Sequence, residues 1–203
     1  DYAPVLASEQ FRFIRTKLLM EDQPNEKCLI ITSIEPGDGK SLIASNMAIT
    51  FAQHKDTTLL IDCDLRRGVL HKSFNCAKKP GIADLLISNE QLDEEFIFNS
   101  VQDTHVPNLS IMSGGIQVPN PSELLGSRRM KALLDVLKEY FDRIIIDTPP
   151  FEFIPDSMAL NTIVQNILLV VRQGKTNMNT LHQKVTEFSK LHKQFNHVIL
   201  NGS

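Results

Sequence analysis

Ser33-Ile34-Glu35-Pro36-Gly37-Asp38-Gly39-Lys40-Ser41 sits between a short apolar run, Leu29-Ile30-Ile31, and a helical pattern from Leu42 through Phe51. The order is strand, glycine turn, helix, with Lys40-Ser41 at the helix start. Glycines at 37 and 39 let backbone N–H groups close around an anion where a side chain would block the approach. The helix beginning near Lys40 adds unpaired N–H groups and the positive end of its dipole. Lys40 then reaches the outer phosphates of a bound polyphosphate, and the Ser41 hydroxyl is placed to ligate Mg²⁺. Pro36 through Leu42 is therefore the candidate nucleotide loop. The usual pattern has a further glycine six residues before the lysine, where Ile34 stands here, so the match is a variant. Taken alone, the stretch also fits a glycine turn that holds no ligand.

Two aspartate strands argue against that plainer reading. Thr58-Leu59-Leu60-Ile61-Asp62 runs into Asp62-Cys63-Asp64-Leu65-Arg66-Arg67, and Arg143-Ile144-Ile145-Ile146-Asp147 leaves through Thr148-Pro149-Pro150. Aliphatic residues without alternation imply burial on both faces, as in a parallel sheet. An aspartate at the C-terminal end of such a strand lies at the crevice where open parallel sheets bind ligands. Asp62 and Asp64 can aim at one metal or one substrate hydroxyl. Asp147 is suited to hold Mg²⁺, usually through a water.

The remaining chain alternates strands and helices. A helix is expected over 8–20, capped by Ser8, with Phe11, Ile14 and Leu18 as its apolar stripe. Glu9, Arg12 and Arg15 lie on a neighbouring face and read, by themselves, as a solvated salt-bridged surface. A polar turn over 22–27 contains Pro24. Short helices are expected over 81–86 and 90–99, a loop over 102–107, and a strand over Leu109–Met112. A helix starts at Pro121, and a longer one runs from Ser127 to Tyr140 with Met130, Leu133, Leu134, Leu137 and Phe141 inward. Arg128, Arg129 and Lys131 crowd its first turn, the unfavourable end for cations. That placement points to an anionic neighbour or to a solvated face. Then come a helix over 156–164, a strand over Ile167–Val171, a helix over 177–193 and a last strand, His197–Leu200. The pattern predicts an α/β fold, a mainly parallel sheet with helices on both faces, like the P-loop NTPases, in a single domain spanning 1–203.

Composition narrows the function classes. The 203 residues are 42% hydrophobic and 22% charged, an ordinary globular balance. A net charge of -3 gives no overall drive toward nucleic acid or an anionic membrane. The apolar runs are too short to span a bilayer, and no secretory signal pattern is visible. Cys28, Cys63 and Cys76 show no metal-type spacing, and a reducing cytoplasm is the simplest compartment.

With these motifs in view, the sequence resembles the cytoplasmic catalytic domain of bacterial tyrosine kinases, the BY-kinases that accompany capsule and exopolysaccharide export. The resemblance runs from Glu9 to Asn201. Pro36 to Ser41 resembles the family's Walker A motif, Leu60 to Arg66 its additional Walker A′, and Ile145 to Pro150 its Walker B. Glu9, Arg12 and Arg15 match a Glu-x-x-Arg-x-x-Arg helix, and Asn120 to Leu125 is also family-like. The resemblance implies a kinase that transfers phosphate from Mg-ATP to tyrosine. Lys40 and Ser41 would serve the phosphates and Mg²⁺, and Asp62 the acceptor proton or the metal, with Asp64 in support. Asp147 would complete the metal environment, and Asn201 would lie near the adenine.

It further implies a ring of identical subunits contacting through Glu9, Arg12 and Arg15. A transmembrane activator, separate or removed, would hold the kinase at the inner face of the cell membrane. Gly68 departs from the proline usual after the Arg-Arg pair, which would loosen that loop. The family's tyrosine-rich tail is absent from this sequence, where Tyr2 and Tyr140 stand alone; weak autophosphorylation is the expectation. Two other readings compete. One is a nonkinase ATPase switch that positions septa or partitions plasmids, although Glu35 stands where that class carries a second lysine. The other is a nucleotide-binding scaffold without kinase activity.

Overall fold

Strands that are apolar on both faces need cover on both faces, and the fold supplies it. The computed structural model describes residues 3–21, 26–151, 159–190 and 195–202. Seven strands form one sheet among these residues: β1 (Cys28–Ser33), β2 (Thr58–Asp62), β3 (Gln102–Asp103), β4 (Leu109–Met112), β5 (Arg143–Asp147), β6 (Ile167–Arg172) and β7 (His197–Asn201). Their order is β3-β4-β2-β5-β1-β6-β7. Only the β3–β4 pairing is antiparallel.

The residues of each strand divide between two cores. Ile30, Leu59, Ile61, Ile144, Ile146 and Leu169 face one side. Leu29, Ile31, Leu60, Ile145, Leu168 and Val170 face the other. The second side is covered by α1 (Ala3–Glu21), α2 (Lys40–Gln53) and α3 (Leu70–Ser73). The first is covered by α4 (Ile82–Ile87), α5 (Glu94–Phe98), α6 (Pro121–Leu125), α7 (Arg128–Tyr140) and α8 (Met178–Ser189). Helix α7 shows how the patterning works. Ser127 caps it by accepting from the Met130 N–H, and Met130, Leu133, Leu134 and Leu137 are buried. Each such side chain contributes about 1.5–3 kcal/mol relative to exposure.

Four expectations are corrected. Helix α1 begins at Ala3, ahead of Ser8, so Ser8 lies inside the helix and does not cap it. The loop expected over 102–107 opens with β3, whose Gln102 and Asp103 pair with Ile111 and Ser110. Two polar residues carry no apolar signature, so that strand is visible only through its partner. The helix expected over 90–99 is the shorter α5, because Asp93 accepts from the Phe96 N–H and starts it there. The crowded cations of α7 do not meet an anion at Arg129: its guanidinium donates to the carbonyls of Leu85 and Glu90, each at 2.7 Å. Helix α3 had no signal in the sequence. Tyr2, the Pro24 turn, the start of the helix over 156–164 and the end of the helix over 177–193 lie outside the described residues, and the described part of 156–164 is helical only at 159–160 before it turns.

Candidate nucleotide and phosphoryl-transfer site

The sheet order places β1 between β5 and β6, with β2 on the far side of β5. The chain therefore departs to opposite sides of β1, which is where open α/β sheets form a ligand crevice. The turn after β1 is the glycine loop. Gly37 and Gly39 have φ of +80° and +95°, the left-handed region that glycine adopts without strain. Ile34, which replaces the expected glycine, is buried in the core and anchors the loop's start. Asp38 is fully buried and its carboxylate accepts from the Glu35 N–H at 2.9 Å, so it closes the loop internally.

Three residues from the far end of the chain also hold this loop. Asn201 Nδ2 donates to the Asp38 carbonyl at 2.9 Å, and Arg172 donates to the Gly37 carbonyl at 2.9 Å. Lys175 Nζ donates to the Pro36 carbonyl and lies 3.5 Å from the Asp38 carboxylate. A Cβ at Gly39 would sit 2.3 Å from Asn201 Nδ2, so the second glycine serves the Asn201 contact as well as the backbone turn. Sequence reasoning placed Asn201 at the site through the adenine and overlooked Arg172 and Lys175. Their signal was available: both follow the apolar run of β6 and so fall at the same edge as Asp62 and Asp147.

The charged residues converge as the strand ends require. In the register, Asp62 lies opposite Asp147, and Ile31 also pairs with Asp147. Lys40 Nζ sits 3.0 Å from Asp64 Oδ2, 3.3 Å from Asp147 Oδ1 and 3.2 Å from Ser41 Oγ. Burial opposes the charge on Lys40, but Asp147 and Asp64 outweigh it and hold the ammonium above its ordinary range. Asp147 is pushed up by burial, against the pull of Lys40. Asp62 is pushed up to about 7 by burial and by the Asp147 charge, against the Leu70 N–H and Lys40. One ammonium thus stands among three carboxylates in a poorly solvated place.

Asp62 and Asp64 are placed differently. Asp62 has no exposure and accepts from the N–H groups of Asp64 and Leu70 at 3.2 and 3.1 Å. Asp64 lines a pocket of about 280 Å³ together with Gly37, Gly39, Lys40, Arg66 and Arg67. Pro36, Ser41, Leu42 and Pro150 complete its wall. Gly68 packs tightly here: a Cβ on it would lie 2.6 Å from Asp62 Oδ2, so its consequence is room for a carboxylate. Among the described residues no three His, Cys, Asp or Glu side chains form a metal cage. The donors do suit a divalent cation that arrives with phosphates, which Mg²⁺ commonly does with one or two carboxylates. The excess negative charge around Lys40 gives such a cation an electrostatic reason to bind.

The motifs of α1 do not join this cluster. Glu9 pairs with Arg12 within the helix, and Arg15 donates to the Thr50 carbonyl of α2 at 3.1 Å.

A glycine loop, a helix N-terminus and aspartates at parallel strand ends define a P-loop nucleotide-binding protein. The AAA domain family model matches residues 26–200. Tyrosine-protein kinase YwqD of Bacillus subtilis is 36% identical over 84% of this chain and 70% of its own length. Tyrosine-protein kinase ptk of Acinetobacter johnsonii is 36% identical over 97% of this chain, which spans 26% of that relative's length. The solved kinase domain of Escherichia coli tyrosine kinase ETK superposes with a TM-score of 0.87 at 29% identity, covering 97% of this chain and 75% of that one. The chain belongs to the bacterial tyrosine-protein kinase family, within the AAA domains. A ParA family ATPase from Chlorobium tepidum reaches a TM-score of 0.71 at 18% identity, which shows a common fold alone.

Proposed function

We propose that this chain binds Mg-ATP in the pocket above Lys40 and transfers the γ-phosphoryl group to tyrosine hydroxyls. The observation that carries the reading is the placement of Lys40 between Asp64 and Asp147, at the mouth of the glycine loop. When phosphates enter, Lys40 exchanges these carboxylates for phosphate oxygens. Ser41 and Asp147 are then free to hold Mg²⁺, with Asp62 behind them. Held there, the cation would supply charge neutralisation to the transferring group. The tyrosine oxygen bonds to the γ-phosphorus as the bond to the β,γ-bridging oxygen breaks, and ADP leaves. The phenolic proton passes to an aspartate. Asp64 lines the pocket and takes the proton in place of Asp62, which is fully buried, orients the loop and adds charge. Asn201, behind the loop, helps position the nucleotide.

The family resemblance supports a role in exopolysaccharide or capsule export. It also supports a ring of identical subunits and a membrane-spanning activator that brings the domain to the inner face of the membrane. No described helix is long and apolar enough to cross a membrane. We infer that residues 1–203 act as one domain, since a single sheet draws strands from both ends of the chain. Glu9 and Arg12 are exposed enough to exchange their mutual pair for partners on a neighbouring subunit.

The test is a Mg-ATP assay with a tyrosine peptide, run beside calorimetry. Lys40→Met is expected to weaken Mg-ATP binding about ten- to a hundredfold, the loss of a charged hydrogen-bond partner of about 1.5–3 kcal/mol. Asp64→Asn is expected to lower kcat about a hundredfold or more with a smaller change in affinity. Wild-type turnover in both variants would remove the assignment.

A further inference from the structure

A second groove, of about 250 Å³, adjoins the nucleotide pocket and shares Asp64, Arg66 and Arg67 with it as a common wall. Beyond that wall it is lined by His71, Lys72 and Lys78, backed by Gly114 and Gly115. Asp64 is the sole carboxylate in this lining, against two arginines and two lysines. Arg67, Lys72 and Lys78 are exposed, and their side chains make no ion pair with any described residue. Burial, then Lys72 and Lys78, lower the pKa of His71. Arg67, His71, Lys72 and Lys78 all come from the chain between β2 and α4, and of these only Arg67 also lines the nucleotide pocket.

The position of the groove matters as much as its charge. A nucleotide seated on the glycine loop fills the first pocket. An acceptor must then reach Asp64 from another side, and the groove opens onto Asp64. We infer that this groove docks the acceptor segment and selects peptides that carry Asp or Glu beside the tyrosine. The inference rests on the kinase reading above and goes further by naming the class of acceptor. Carboxylates flanking the tyrosine meet Lys72, Lys78 and Arg67, while the phenol reaches Asp64 at the shared wall. A lysine-flanked tyrosine would meet like charge there.

The experiment uses three labelled peptides, each with one tyrosine flanked by Glu, Gln or Lys. Binding to the Mg-ADP-loaded protein is followed by fluorescence anisotropy at low ionic strength. The Glu peptide is expected to bind about tenfold more tightly than the Lys peptide, as two or three exposed charge pairs allow, and the margin should shrink with salt. Lys72→Glu with Lys78→Glu should invert the order, an outcome that a merely structural role for these lysines would not produce. Mg-ADP affinity serves as the folding control, and Lys78→Glu alone is used if the double variant fails it. Equal binding of the Glu and Gln peptides, or an unchanged preference in the variant, would overturn the proposal. A parallel transfer assay separates the two claims: no phosphate on any peptide would sink the kinase reading, while the binding order still decides the groove.

Discussion

Two charged constellations of this chain each set a cation against a carboxylate and behave differently. Lys40 at the start of α2 and Asp64 just after β2 expose 11% and 8% of their side chains, whereas Arg12 and Glu9 on α1 expose 53% and 61%. The buried group shares one ammonium among three carboxylates, and its members shift one another's protonation. The exposed pair sits in water, where each charge is already solvated and such pairs contribute about 0–1 kcal/mol. Charge near a protein surface is cheap to place and weak in effect. Charge at the end of a buried strand is costly to keep, and its arrangement responds strongly to a ligand that brings its own charge.

The largest expected contrast is in pH dependence. Asp62 rises from 3.8 to about 7 on folding. A raised acid contributes stability that is fully present below the unfolded value and is lost as pH rises through the folded value. The nucleotide-free, metal-free protein should therefore lose a few kcal/mol of stability at most between about pH 4 and 7 through this group. Urea titrations of the parent and Asp62→Asn across that range check it, and parallel curves would show that Asp62 is not the source.

Next is Gly68→Ala. The new methyl would lie 2.6 Å from Asp62 Oδ2, so the carboxylate or the loop must move. Overpacking of this kind costs about 1–3 kcal/mol. Turnover should fall more than nucleotide affinity, because Lys40 and the glycine loop are untouched. A thermal melt and kcat equal to the parent's would mean that the loop relaxes freely.

Arg15 is the intermediate case, since it lies on the exposed helix yet ties it to α2 through the Thr50 carbonyl. Arg15→Ala should cost about 1 kcal/mol, seen as a lower urea midpoint. The smallest effect belongs to Glu9→Ala, which should stay within about 0.5 kcal/mol and vanish in salt. A larger loss at Glu9 in dilute, monomeric protein would place α1 among the structurally important charges and dissolve the contrast.

Much of the fold is legible in the chain. Thr58–Asp62, Leu109–Met112 and Arg143–Asp147 have the bounds that their apolar runs predict. Helix α7 runs from Arg128 to Tyr140, within one residue of the expected Ser127 start. What local pattern misses is structure held by distant partners. Strand β3 exists because β4 offers an edge, and α3 begins where the Leu70 N–H reaches Asp62. The candidate site divides in the same way. Lys40, Asp62, Asp64 and Asp147 carry motif spacing, while Arg172, Lys175 and Gly68 matter only through what they touch.

Residue order is enough to end strands in aspartates, to put a glycine turn before a helix, and to demand cover on both apolar faces. Those are local facts, set by side-chain periodicity and by the backbone freedom of glycine. The tertiary structure alone decided that Lys40 bridges Asp64 and Asp147, the latter 107 residues away, and that Asn201 holds a loop 163 residues before it. It also decided which aspartate faces the pocket and which is sealed behind it. Strand order and register choose those neighbours. They follow from packing the whole sheet at once, since a single residue's shift in register would turn each strand's buried set to the opposite face.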